Sequence, residues 1–249
     1  MPENSFLFTN SCGAEISARI YPCNGSDRGV IFSHGLFSSK DGYKITRMAS
    51  SIVSCGFNLM TYDFSFSGES SGNIRDISVI QEVDDLRNAV SEFKKRGVRN
   101  IHLMGSSMGA AVSILFCSSS VDEFESLILI AAPLDLLAII PGMTPEKAAS
   151  LNENGSSLIS GMEVSNKFIM ELAKLDMPGA VKQIKVPVLL IHGREDSVVD
   201  FSNTRLFISS CTSECRQVII NDGGHNLTRD SDIAIITEAV MSWLVEFNA

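Results

Sequence analysis

The sequence predicts an α/β domain: a mostly parallel eight-stranded sheet, helices on both faces, and a small helical cap inserted after the sixth strand. Three observations lead there. Short continuous apolar runs recur at residues 101–104, 127–132 and 186–191, and strands apolar on both faces belong to a parallel sheet covered on both sides. Stretches of helical periodicity separate these runs. One segment, residues 134–184, breaks the alternation.

Taken in order, residues 5–21 alternate, with Phe6, Phe8, Ile16 and Ile20 apolar around a turn at 10–13, which predicts an N-terminal hairpin. Residues 29–33 form a short buried strand and 34–40 the loop after it. Residues 43–55 have helical spacing, and Gly56 stops them as a residue just past a helix end. A strand at 57–62 leads into a Ser/Gly-rich loop at 63–72. Residues 77–96 read as an amphipathic helix carrying Ile80, Val83, Leu86, Val90 and Phe93, ended by Gly97. The strand at 101–104 runs into Gly105-Ser106-Ser107-Met108-Gly109 and a small-residue helix. The strand at 127–132 stops at Pro133. Residues 134–184 hold Pro141, Gly142, Pro145, Gly155, Gly161 and a polar run at 152–157, with no strand pattern; this is the predicted helical cap. A strand at 186–193, a helix at 201–211, a strand at 217–220 and a helix at 230–247 complete one domain over 1–249.

Composition narrows the function. The 249 residues are 45% apolar and carry a net charge of −9, which argues against nucleic acid or an anionic membrane as partner. Cysteines at 12, 23, 55, 117, 211 and 215 fit no zinc spacing. No basic leader opens the chain, and no apolar run approaches membrane-spanning length, so a reducing, cytoplasmic compartment is expected. No dinucleotide fingerprint occurs, and the 63–72 loop lacks the lysine of a phosphate-binding loop; neither cofactor nor metal is expected. The expected partner is a small molecule, bound by a monomer or homodimer.

The segment 105–109 matches G-x-S-x-G at a strand-to-helix turn. Such a turn is cramped, and glycines on either side leave room for an exposed central hydroxyl. A serine hydroxyl needs a base to take its proton and an acid to orient that base. Of four histidines, His102 lies inside a strand, and His34 and His192 end strands as expected loop-stabilising groups. His225 follows the last strand at the carboxyl edge of the sheet, where ligands gather in open α/β folds. Among Glu195, Asp196 and Asp200, the last suits a helix cap and the first a solvated loop, leaving Asp196. The predicted triad is Ser107, Asp196 and His225. Its oxyanion donors would be the Met108 N–H and the Leu36 N–H. Leu136, Ile140, Met162 and Phe168 are the expected substrate contacts from the cap.

These motifs resemble those of the α/β-hydrolase superfamily over the whole chain: His34-Gly35, Gly105 to Gly109, His192-Gly193-Arg194-Glu195-Asp196 and Gly224-His225 in family order. The stretches 164–168 and 184–193 are similar to small-cap esterases, a group that includes feruloyl and cinnamoyl esterases and the monoglyceride-lipase or serine-aminopeptidase-like proteins. Two positions depart from that pattern: Asp200, where such proteins often have Pro, and Ser65-Phe66-Ser67-Gly68, where many carry Arg-Gly-His-Gly. The resemblance and the apolar wall imply a serine carboxylic-ester hydrolase acting on small to medium acyl or aryl esters through an acyl-enzyme. Aminopeptidase or thioesterase activity with the same triad is the alternative, with Glu153, Glu163 or Glu171 as holders of a substrate amino group. A third reading, a non-catalytic ligand receptor on this fold, would have no use for the triad.

Overall fold

A computed structural model describes residues 4–120 and 123–247. In chain order it holds β1 (Asn4–Thr9), β2 (Glu15–Tyr21), β3 (Arg28–Ser33), α1 (Tyr43–Ser54), β4 (Asn58–Tyr62), α2 (Val79–Lys95), β5 (Asn100–Ser106), α3 (Met108–Ser119) and β6 (Ser126–Ile130). Then come α4 (Pro145–Ser150), β7 (Ser156–Ile159), β8 (Met162–Ser165), α5 (Asn166–Leu172), α6 (Met177–Gln183), β9 (Val188–Gly193), α7 (Ser202–Ser210), β10 (Cys215–Ile220) and α8 (Asp230–Glu246). The main sheet has eight strands in the order β1-β2-β4-β3-β5-β6-β9-β10. The N-terminal hairpin joins it antiparallel, through β2 on β4, and every pairing from β4 to β10 is parallel. This is the α/β-hydrolase architecture the sequence predicts.

The strand period of two sorts side chains to opposite faces. Val30, Phe32, Met104, Ile128, Ile130, Leu189 and Ile191 meet α1 and α8 on one side. Ile31, Ile101, Leu103, Leu127, Leu129 and Leu190 meet α2, α3 and α6 on the other. Each such fully buried aliphatic side chain contributes about 1.5–3 kcal/mol. The polar atoms beneath α8 are satisfied in pairs: Trp243 Nε1 donates to Ser126 Oγ at 2.8 Å, and His102 Nδ1 lies 2.7 Å from the same oxygen. Burial lowers the His102 imidazole to about 4, with Arg28 adding to the effect. It is a buried histidine that ties β5 to β6 through the Ser126 hydroxyl.

Residues 134–184 are not purely helical. β7 and β8 form an antiparallel hairpin there, paired Ser156 to Ser165 and Ile159 to Met162. The two residues between them, Ser160 and Gly161, both have positive φ, 50° and 82°, the mirror-image turn that suits the twist of a two-residue hairpin. The strands are short and carry polar residues at Ser156, Ser157, Glu163 and Ser165, so no apolar alternation marks them. Ile159 and Val164 point inward, and the segment docks through Leu136, Ile140, Phe168, Ile169, Leu172 and Val181 onto the same core as α2 and α3.

No helix among the described residues is long and apolar enough to cross a membrane.

Candidate active site

The carboxyl edge of the parallel strands brings together loops distant in sequence. The elbow after β5 is the sharpest feature. Ser107 has φ 54° and ψ −122°, a conformation that costs a non-glycine residue about 1–3 kcal/mol and persists only where surroundings over-determine it. They do so here. The Ser107 N–H bonds Ile130 O at 2.8 Å, and Ser107 O accepts from Ala110 N at 2.9 Å as α3 begins. The flanking glycines are dictated by space. A Cβ on Gly105 would overlap the Gly109 carbonyl, and one on Gly109 would overlap the backbone carbonyls of Ser33 and His34. At Gly35 a Cβ would crowd Ser107 Cβ at 3.2 Å.

Gly109→Ala is therefore expected to destabilise the fold by about 3 kcal/mol or more, because α3 must move away from β3. A thermal melt reads this as a fall of roughly 10 °C for a chain of this size. A variant melting within ~2 °C of the parent would show that the helix–strand contact is softer than drawn.

Beside the elbow, His225 Nε2 lies 3.0 Å from Ser107 Oγ, and His225 Nδ1 lies 2.8 Å from Asp196 Oδ2. All three sequence-predicted residues thus share one hydrogen-bonded line. Asp196 is itself locked. Its Oδ1 accepts the N–H groups of Val198 at 2.9 Å and Val199 at 2.8 Å, and its side chain is wholly buried. Burial pushes the carboxyl upward, yet hydrogen bonds from His192, His225 and the Val199 N–H outweigh it and hold Asp196 well below the usual carboxylate range. His192 has the loop-holding role expected of it, with Nδ1 2.7 Å from Thr204 Oγ1 and Nε2 2.9 Å from Val199 O. His34 has a similar one. Its Nε2 accepts the Phe64 N–H at 3.1 Å, and burial lowers its imidazole. Asp200 accepts the Ser202 N–H at 2.8 Å where α7 starts, while Glu195 is exposed.

Leu36 lines the cleft at Ser107, and Met108 opens α3 immediately after it. Neither backbone N–H is taken by another backbone carbonyl among the described residues. The loop that carries Leu36 is pinned by a buried ion pair. Lys40 Nζ lies 3.0 Å from Asp63 Oδ2, the Lys40 N–H donates to Asp63 Oδ1 at 2.6 Å, and the Glu69 N–H donates to Asp63 Oδ2 at 2.9 Å. Ser65, in the stretch that departs from the esterase pattern, is tied to α2: its N–H and hydroxyl both donate to the Asp85 carboxylate.

The cleft is small, about 220 Å³, and mixed in character, with Phe32, Leu36 and Ile45 on its apolar side. Ser38, Tyr43, Lys44, Ser106, Asn226 and Thr228 line it with Ser107 and His225. The four expected substrate contacts are not among its walls. Leu136, Ile140 and Phe168 are buried in the core and Met162 sits exposed on the hairpin, because the apolar face of the 134–184 segment is used in docking. The three glutamates considered as amino-group holders are engaged elsewhere. Glu171 accepts the Ile80 N–H at 2.7 Å, Glu163 pairs with Arg75 at 3.3 Å, and Glu153 pairs with Lys167 at 3.8 Å. Sequence reasoning missed Lys44. The signal was available: a lysine in the first turn of a helix opposes the helix dipole.

A family model described as serine aminopeptidase, S33, matches residues 24–172 and 144–232. The chain is 26% identical over 231 residues to the human alpha/beta hydrolase domain-containing protein 17B, covering 89% of this chain and 68% of that protein. Its fold is similar to that of Est1E from Butyrivibrio proteoclasticus with bound ferulic acid, with TM-score 0.86, 20% identity, and 97% and 98% of the two chains covered. It is also similar to mouse alpha/beta hydrolase domain-containing protein 10, with TM-score 0.80, 18% identity, and 98% and 100% covered.

Proposed function

The chain belongs to the serine aminopeptidase, S33, family of α/β-hydrolases, and from that premise we propose that it is a serine carboxylic-ester hydrolase acting on small acyl or aryl esters. The observation that supports this is the unbroken hydrogen-bond line from Asp196 through His225 to Ser107. In the proposed reaction His225 Nε2 takes the Ser107 proton as Oγ attacks the ester carbonyl. Asp196 holds the imidazole by its Nδ1–H and stabilises the positive charge it acquires. The Leu36 and Met108 N–H groups receive the oxyanion, where such donors contribute about 2.7–4 kcal/mol each. His225 then gives its proton to the leaving alcohol oxygen. Water, deprotonated by the same nitrogen, cleaves the acyl-enzyme and restores the Ser107 hydroxyl.

Esters are favoured over aminoacyl amides by the walls of the cleft. Among the described residues no carboxylate side chain lines it to bind a free amino terminus, and Lys44, which does line it, would repel one. We treat residues 134–184 as a cap belonging to the same domain, its apolar side chains committed to docking.

The test is covalent. Ser107 Oγ should displace fluoride from the phosphorus of a fluorophosphonate probe, its proton passing to His225, and leave a single phosphonyl adduct on the tryptic peptide containing Ser107, located by mass spectrometry. Turnover of p-nitrophenyl butyrate should disappear in step with labelling. A well-folded protein that takes no adduct and cleaves no ester, thioester or aminoacyl amide would instead be a binder.

A further inference from the structure

One charged group in the cleft has no role in the chemistry above. Lys44 occupies the second position of α1, where a cation opposes the helix dipole. It is half-buried, and its ammonium donates to Ser106 Oγ at 3.2 Å, the hydroxyl beside the nucleophile. Among the described residues no carboxylate pairs with it; Asp196 and Asp232 act on it only at longer range. The end of α1 around it is also bare. Gly42 provides no side-chain cap, and the first turn carries no acidic residue. Gly42, Tyr43 and Lys44 together form one wall of the space in front of Ser107. A half-buried cation without a counter-ion is less well solvated than a free one, and uncapped helix N–H groups are costly; an anion at that place relieves both.

We propose that this wall is a carboxylate-binding subsite: the Lys44 ammonium and the Ser106 hydroxyl, aided by the start of α1, hold a carboxylate carried by the ester substrate. The inference rests on the reading of Ser107 as the ester-attacking group. A carboxylate fits better than a phosphate, because one ammonium, with no arginine among the residues that line the cleft, balances one negative charge, and a space of about 220 Å³ favours a compact group. Burial lowers the Lys44 ammonium to about 8 while Asp196 and Asp232 pull it back. The groups facing it are Asp196 after β9, Asp232 on α8 and His225 after β10. The preference for a charged substrate should therefore fade as pH rises through about 8 and the ammonium is lost.

The experiment compares kcat/KM for charged and neutral ester pairs: 4-acetoxybenzoate against 4-acetoxybenzamide, and mono-p-nitrophenyl adipate against p-nitrophenyl hexanoate. The first pair places the carboxylate on the leaving group and the second on the acyl group. In one pair the charged-to-neutral ratio should fall about tenfold or more from the parent to Lys44→Met, with Lys44→Arg recovering part of it. Lys44→Gln replaces Lys44→Met should the latter fail to fold. Ratios that agree between parent and variant in both pairs overturn the subsite. So does Lys44-dependent inhibition by inorganic phosphate that exceeds inhibition by acetate. If the folded parent cleaves no ester, the catalytic proposal fails by itself. The subsite is then read by calorimetric binding of 4-hydroxybenzoate against 4-hydroxybenzamide to parent and Lys44→Met: a carboxylate preference lost in the variant supports it, and an equal preference overturns it.

Discussion

Ser107→Ala is expected to lower kcat for p-nitrophenyl butyrate by a factor on the order of 10⁴–10⁶, leaving only what the oxyanion donors and binding provide. The change removes one oxygen from a half-buried position, and the elbow keeps its backbone restraints from Ile130 O and Ala110 N. Thermal melts of the two proteins should therefore nearly coincide, which separates lost chemistry from lost structure. His225→Ala should cost a similar factor, and the double variant little more than either single change, because the groups act as one unit. Steady-state assays over several enzyme concentrations check this. Multiplicative losses in the double variant would mean that the hydroxyl and the imidazole work independently.

The second large effect is expected at Asp196. In Asp196→Asn the carbonyl oxygen must stay where Oδ1 is, since Val198 and Val199 both donate to it. The amide nitrogen then faces His225 Nδ1, 2.8 Å away, and presents a donor where an acceptor stood. The imidazole is forced into the tautomer that carries its proton on Nε2, facing Ser107, and can no longer receive one from the hydroxyl. A loss of about 10⁴ in kcat follows, with KM changed far less. The stability effect has a definite sign. Asp196 is held below the ordinary carboxylate range when folded, so its contribution is present at neutral pH and is lost as pH falls below about 4 toward the folded value. The parent's lead in melting temperature over Asp196→Asn should shrink on acidification. A lead that grows on acidification would mean that the carboxyl is protonated in the folded state.

The main lines of the fold were legible because they depend on local periodicity. Strands such as β6 and β9 are buried on every residue and announce themselves as apolar runs, and the helix α2 shows its stripe. The hairpin β7–β8 was not legible. Its strands are short and partly polar, and what defines it is a turn conformation at Ser160 and Gly161 that no periodicity reports. The apolar residues of the 134–184 segment were visible as apolar, but not where they point. Leu136, Ile140 and Phe168 meet the core, since burial against α2 and α3 is available to them and the cleft wall is not.

What the chain alone determined is chemical type and order: a serine in G-x-S-x-G, an acid after a late strand and a histidine after the last, each at a strand's carboxyl end. Parallel strands place those ends along one edge whatever their distance in sequence, so a linear pattern suffices to assemble them. Only the tertiary structure decided the shape and charge of the space in front of the serine. Lys44 enters that space because α1 begins there, packed against α8 on one face of the sheet, and no spacing rule along the chain encodes a contact between Lys44 and Ser106, 62 residues apart. Positions that depend on how helices dock, rather than on where strands end, are set by packing.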